Sequence, residues 1–223
     1  MTTARESDAL FDVPDGARRP LVRVVLLTGA SGSGKTALTR RLGLPVVTLD
    51  DFYHNGDHPD LPRRFGVVDW DDPRTWDAAG ALDALRTLAT TGRAHIPVYD
   101  IPSNARTGST LVDTAGCAVV IAEGIFAAQL VAACRAEGIL ADAICLRRAA
   151  WVTFWFRLLR DVAEARKPLP TLLRRGWALL RAEPRLIDGW LALGCRAATP
   201  AEAERAIRTL AGQGSAKPSP EKS

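Results

Sequence analysis

Eight consecutive residues, Gly29-Ala30-Ser31-Gly32-Ser33-Gly34-Lys35-Thr36, match the pattern GxxxxGK[ST] in full. Glycines at these places let backbone N–H groups converge on an anion, the lysine adds a mobile point charge, and a threonine hydroxyl can ligate Mg²⁺. The match lies where that chemistry needs it. Leu21–Thr28 before it is an almost continuous β-branched and leucine run, the pattern of a strand covered on both faces, and a helix is predicted to start within Ser33–Lys35. A triphosphate is the expected guest, with Lys35 on its β and γ phosphates and the positive end of the helix beneath it. The bland alternative is a glycine-rich strand-to-helix turn that holds nothing.

Two carboxylates follow other apolar runs that read as buried strands: Asp50 after Pro45–Leu49, and Glu123 after Ala118–Ala122. The carboxyl edge of an open α/β sheet is where ligands collect. In phosphoryl transfer one acid orients the metal and a second takes the proton of the acceptor hydroxyl. Glu123 is assigned to the metal side, and Asp50 to the base with a share in the metal site. Asp51 rivals Asp50, because neighbours at a strand end point to opposite sides, and pattern alone does not separate them.

The elements that must position these groups alternate between strand and helix. Besides the three strands above, Ala141–Leu146 reads as a fourth, and His95–Tyr99 and Ser109–Val112 as short strands flanking a turn. Thr75–Ala89 spaces Trp76, Ala79, Leu82, Leu85 and Leu88 as one apolar helical face, and Ile125–Ala136 reads as a further helix. Beyond residue 149 the pattern is helical, roughly over 150–166, 170–182 and 184–193, with breaks at Pro168, Pro170 and Pro184. A last helix opens on Thr199-Pro200-Ala201-Glu202, a capping-box signature, and should end near Gly212. The fold class expected is α/β, a P-loop NTPase-type parallel sheet with flanking helices and a helical lid. The organisation expected is an irregular leader over 1–20, one domain over 21–212 with the lid at about 150–193, and a disordered tail over 213–223.

Composition narrows the setting. The chain has 223 residues, 47% of them hydrophobic, enough for one sizeable core. Its four cysteines are scattered with no CxxC pair, which fits a reducing cytoplasm and neither a zinc site nor a disulfide framework. No apolar run of about 18 residues is present, so no membrane partner is expected. The net charge of +4 is uneven: residues up to Leu146 carry 14 basic and 18 acidic side chains, and Arg147–Leu210 carries 13 and 6. The basic third suits a phosphate-rich ligand, and it lacks the interleaved aromatics of a nucleic-acid surface.

Five motifs stand in order: GASGSGKT; Asp50-Asp51-Phe52-Tyr53; Asp69-Trp70-Asp71-Asp72-Pro73-Arg74-Thr75-Trp76-Asp77; Ile96-Pro97-Val98-Tyr99-Asp100 with Ser103-Asn104-Ala105-Arg106; and Val119 to Glu123-Gly124. This series resembles the uridine kinase family of P-loop nucleoside kinases, over most of Val22–Asp161. The resemblance implies ATP or GTP as phosphate donor, Mg²⁺, and a small acceptor such as uridine or cytidine. By the same resemblance Asp50 stands beside the acceptor hydroxyl, Glu123 belongs to the metal site, Asp71 grips sugar hydroxyls, and Tyr99 lines the base pocket. Asn104 takes the place of a histidine there, and Arg106 belongs to the same substrate-binding motif. Arg157 and Arg160, one helical turn apart, resemble the start of a lid whose arginines cover the transferring phosphate.

Plainer readings stand beside these: Asp71 or Asp72 as a helix cap, Tyr99 as a half-buried strand aromatic, Arg157 in an ion pair with Asp161, and Trp177 and Trp190 as core. The acidic stretch that the family carries after the fourth strand is replaced here by Arg147-Arg148. Other acceptors on the same floor are a sugar phosphate, a vitamin precursor or nicotinamide riboside. A GTPase-like regulatory module is the reading from another class. Asp113-Thr114-Ala115-Gly116 fits a switch-type DxxG, but no [NT]KxD guanine motif exists, asparagine occurring only at positions 55 and 104. A homo-oligomer is compatible with the sequence.

Overall fold

The computed structural model describes residues 19–64, 66–148 and 184–213. The leader, the tail, and the segment carrying Arg157, Arg160 and Trp177 lie outside them. Five strands form one wholly parallel sheet: β1 (Arg23–Thr28), β2 (Val46–Thr48), β7 (Val119–Glu123), β8 (Leu140–Leu146) and β9 (Arg196–Ala198), in the spatial order β2-β7-β1-β8-β9. Five of the six residues of β1 and four of the five of β7 are buried, as expected where helices cover both faces.

The alternation of side chains divides the core in two. Val24, Leu26, Val120 and Ala122 face α2 (Ala78–Thr91), α3 (Val131–Ala136) and the helix α4 over 184–192. Val25, Leu27, Ile121 and Ile144 face α1 (Lys35–Leu42) and α5 (Pro200–Gln213). Trp190 lies in the first core, the placement expected of it as a packing residue. Helix α5 begins with the capping box read from the sequence: the Thr199 N–H donates to Glu202 Oε2 at 2.8 Å, and the Glu202 N–H to Thr199 Oγ1 at 3.4 Å. Of the cysteines, 134, 145 and 195 are buried and 117 is half-buried, and none of the four is in a disulfide. Among the described residues, no helix is long and apolar enough to cross a membrane.

Several boundaries differ from the sequence expectation. The helix expected from Thr75 starts at Ala78, capped by Asp77, and Pro73–Thr75 forms a separate 3₁₀ turn capped by Asp72 through Arg74 N–H at 2.9 Å. The helix expected over Ile125–Ala136 opens as a 3₁₀ turn, Ala127–Leu130. The two short strands are a long antiparallel hairpin, β5 (Arg93–Asp100) and β6 (Ala105–Asp113), which stands apart from the main sheet. A small pair, β3 (Arg63–Arg64) and β4 (Val67–Val68), and the edge strand β9 had no expectation at all.

Candidate functional site

Register places the chemistry. Thr48 of β2, Glu123 of β7 and Leu27 of β1 are direct partners across three neighbouring strands, so the three chains leave the sheet at one level. From there β1 enters the Gly29–Thr36 loop, β2 turns through Leu49–Phe52, and β7 ends on Glu123-Gly124. Thr48, Asp50 and Thr36 are exposed beside otherwise buried strands, which marks an open cleft at this edge.

The loop has the left-handed backbone of an anion cradle, with φ of 149° at Gly29, 84° at Gly32 and 98° at Gly34. A side chain at Gly29 would meet Leu146 O at 2.8 Å and Ser33 Oγ at 2.9 Å, so the turn closes only on glycine. Lys35 Nζ donates to Gly29 O at 2.7 Å, folding the ammonium back over the loop. Ser33 Oγ is buried with no hydrogen-bond partner among the described residues, a polar atom that a bound phosphate oxygen would satisfy. These observations fit a triphosphate.

Asp50 and Glu123 face the loop together. Crowding by the protein raises the Asp50 pKa, against the lowering effects of the Lys35 charge and the Ile125 N–H, while solvent still reaches its carboxylate from the cleft. Glu123 is raised by burial and by Asp50, and again Lys35 opposes the shift. Gly124 leaves room for this pairing, since a side chain there would lie 2.9 Å from Asp50 Oδ1. Two carboxylates near an ammonium, with the exposed Thr36 hydroxyl, form a hard oxygen set suited to Mg²⁺. Among the described residues no cluster of three or more histidine, cysteine or acidic side chains could hold a metal without such help.

Asp50 and Asp51 are now distinct. They lie in a 3₁₀ turn, Leu49–Phe52, and not on a strand end, so their side chains diverge around the turn. Asp50 faces Lys35, and Asp51 accepts the Tyr99 N–H at 3.1 Å. The turn itself is braced from three directions. Trp76 Nε1 donates to Leu49 O at 2.7 Å from a buried ring. The Asp77 N–H donates to Phe52 O at 3.0 Å. Arg106 Nε donates to Tyr53 O at 3.0 Å, and its Nη2 to Phe52 O at 2.9 Å and Asp77 Oδ2 at 3.2 Å.

Past the turn, Tyr53, Trp70 and Tyr99 form an aromatic wall, Tyr53 lying 5.5 Å from Trp70 edge-on and 5.7 Å from Tyr99. Tyr53 OH donates to Trp70 O at 3.2 Å. Burial raises the phenol's pKa, and nearby Asp50 and Asp71 raise it further. Asp71 is exposed next to this wall, and the capping role falls to Asp72. Tyr99 is half-buried with its OH on His54 O at 3.4 Å.

Two residues of the substrate-binding motif also have structural contacts of their own. Asn104 is an exposed residue in the left-handed region (φ 49°), and its carbonyl accepts the Gly56 N–H at 2.7 Å. The guanidinium of Arg106 is committed to the backbone of the 49–53 turn. Trp70, Phe126 and His54 were not singled out from the sequence, although Trp70 lies inside the third motif. Asp113, at the end of the β5–β6 hairpin, pairs with Arg93 at 2.8 Å and receives the Ala115 N–H at 2.8 Å.

The strand order and the loop geometry define the class: a P-loop α/β protein. The comparisons with known proteins sharpen it. No family model matches. The chain is 31% identical over 111 residues to the inorganic pyrophosphatase TTM1 of Arabidopsis thaliana, covering 47% of this chain and 16% of that one. It is 26% identical over 168 residues to the uridine kinase of Borrelia turicatae, covering 73% and 78%. Among solved structures, a putative fructose transport system kinase from Silicibacter sp. TM1040 superposes with a TM-score of 0.56 at 22% identity over 78% of this chain and 88% of that one, a likeness of fold. Over these stretches the sequence is similar to those of uridine kinases.

Proposed function

We propose that this chain transfers the γ-phosphate of ATP to a small hydroxyl-bearing acceptor, the 5′-hydroxyl of a nucleoside such as uridine or cytidine. The observation that carries the proposal is the position of Asp50: on the turn after β2, facing Lys35 and Glu123 on one side and adjoining the Tyr53–Trp70–Tyr99 wall on the other. The loop N–H groups and Lys35 hold the triphosphate and take up charge that develops on the transferred group. Asp50 accepts the hydroxyl proton as the acceptor oxygen closes on phosphorus, and the bond to the bridging oxygen breaks toward ADP. Its raised pKa suits that task. Thr36, Glu123 and Asp50 would hold Mg²⁺, which supplies charge neutralisation on the phosphates. Aromatic faces suit a planar base, and Asp71 can accept from two adjacent ribose hydroxyls.

The test is transfer from γ-labelled ATP or GTP across nucleosides, sugars and sugar phosphates, with Lys35→Ala and Asp50→Asn alongside. Pyrimidine nucleosides should be labelled, Lys35→Ala should lose donor binding, and Asp50→Asn should bind donor but not transfer. Labelling of sugars with no nucleoside turnover would replace the acceptor. Full turnover by Asp50→Asn would remove it as the base.

A further inference from the structure

The loop has a neighbour that neither the motifs nor the resemblance assigns. Strand β8 ends on Leu146, packed against the space a Gly29 side chain would need. Its pairing with β9 continues one residue further, the Arg147 N–H donating to Ala198 O at 2.8 Å, which fixes the chain just before Arg148. The Arg148 guanidinium then lies over Gly34. A Cβ built on that glycine would sit 3.1 Å from Nη2, 3.3 Å from Nε and 3.4 Å from Cζ, so the guanidinium covers the face that a side chain at this position would occupy. Gly34 therefore serves two needs at once, a φ of 98° and a surface bare enough for this side chain.

Gly34 is also the N-cap of α1, whose first turn contains no acidic residue. The guanidinium thus adds its charge to the positive end of the helix, which suits a polyanion. A planar fork of five donors suits phosphate oxygens.

We propose that Arg148 is a donor-side binding residue that contacts the polyphosphate held by the Gly29–Thr36 loop. This rests on the kinase reading of that loop but does not depend on which acceptor is used. The test is calorimetric titration of the full chain with ATP and, separately, with inorganic tripolyphosphate, for wild type, Arg148→Ala, Arg148→Lys, the exposed neighbour Arg147→Ala, and Lys35→Ala. Arg148→Ala should weaken both ligands about 10- to 100-fold, the usual consequence of losing charge-assisted hydrogen bonds. Arg147→Ala should stay within about twofold on the same scale. Arg148→Lys keeps the charge without the fork and should fall between; it also serves if the alanine variant folds poorly. Wild-type affinity for both ligands in Arg148→Ala would overturn the proposal, as would a loss for ATP with none for tripolyphosphate, which would put the guanidinium on the nucleoside. Unchanged tripolyphosphate binding in Lys35→Ala, with a loss in Arg148→Ala, would sink the loop reading while leaving the arginine as an anion ligand.

Discussion

Replacing Arg106 by alanine should loosen the acceptor half of the site while leaving the donor half in place. The side chain makes three hydrogen bonds, to Tyr53 O, Phe52 O and Asp77 Oδ2, and is 32% exposed. At about 1–1.5 kcal/mol each, the bonds together suggest up to ~4 kcal/mol. Two acceptors, however, are not stranded. Phe52 O keeps the Asp77 N–H at 3.0 Å, and Asp77 keeps its cap on the Gly80 N–H at 2.8 Å. The loss concentrates on Tyr53 O, and solvent compensates part of the exposed pair with Asp77. The expected cost is about 2–3 kcal/mol, or roughly 5–10 °C in Tm for a chain of this size. Urea unfolding followed by circular dichroism measures it, and steady-state transfer should show a raised KM for acceptor with an unchanged KM for ATP. Arg106→Lys should recover less than half, because an ammonium cannot bridge two carbonyls as the fork does. A loss below ~0.5 kcal/mol with normal acceptor KM would refute the bracing role. A raised acceptor KM with full stability would mean that the guanidinium touches the acceptor itself.

Trp76→Phe deletes the bond from Nε1 to Leu49 O in a buried setting and should cost about 1–3 kcal/mol, read by the same urea titration; an unchanged midpoint would show that the carbonyl finds another donor. Gly34→Ala holds an alanine at a left-handed φ with its methyl 3.1 Å from Arg148 Nη2, so the ATP-induced rise in Tm should shrink; a normal ligand shift would show that the loop relaxes without penalty. Asp50 has its pKa raised above the ordinary 3.8, so the folded state holds the proton more tightly and ligand-free stability should fall as pH rises from about 3.8 through the folded pKa. Asp50→Asn should remove that part of the decline, and parallel stability curves for the two proteins between pH 3.5 and 7, a range set around ordinary carboxylate values, would show that the shift is absent.

The donor half was legible because each of its signals is local. An apolar run, a glycine-spaced loop and a lysine specify strand, turn and helix start with little help from the rest of the chain. The acceptor half was legible as motifs but not as roles. Whether Asp50 or Asp51 faced the loop could not be read by strand alternation, because the segment is a 3₁₀ turn that Trp76, Asp77 and Arg106 hold from distant positions. The bracing contacts of Arg106 were hidden for the same reason: its fork meets two main-chain carbonyls besides the Asp77 carboxylate, and carbonyls leave no mark in a sequence. Strand β9 is three residues with two exposed, and is drawn into the sheet by pairing with β8 and by Arg196 on Asp142 at 2.6 Å. No pattern of alternation could announce it. Arg148 could not be singled out by spacing, and only its proximity to Gly34 gives it a meaning.

On the proposed function, the aromatic wall has a consequence for how acceptor preference can change. Tyr53, Trp70 and Tyr99 come from three separate stretches of chain outside the parallel sheet, held together by ring contacts and by tyrosine hydroxyls on main-chain carbonyls. Exchanging a ring in this outwork alters what rests against it without altering the strands that aim the triphosphate. A lineage could therefore wander from one hydroxyl compound to another by piecemeal replacement at these three places, its phosphate-handling machinery inherited intact.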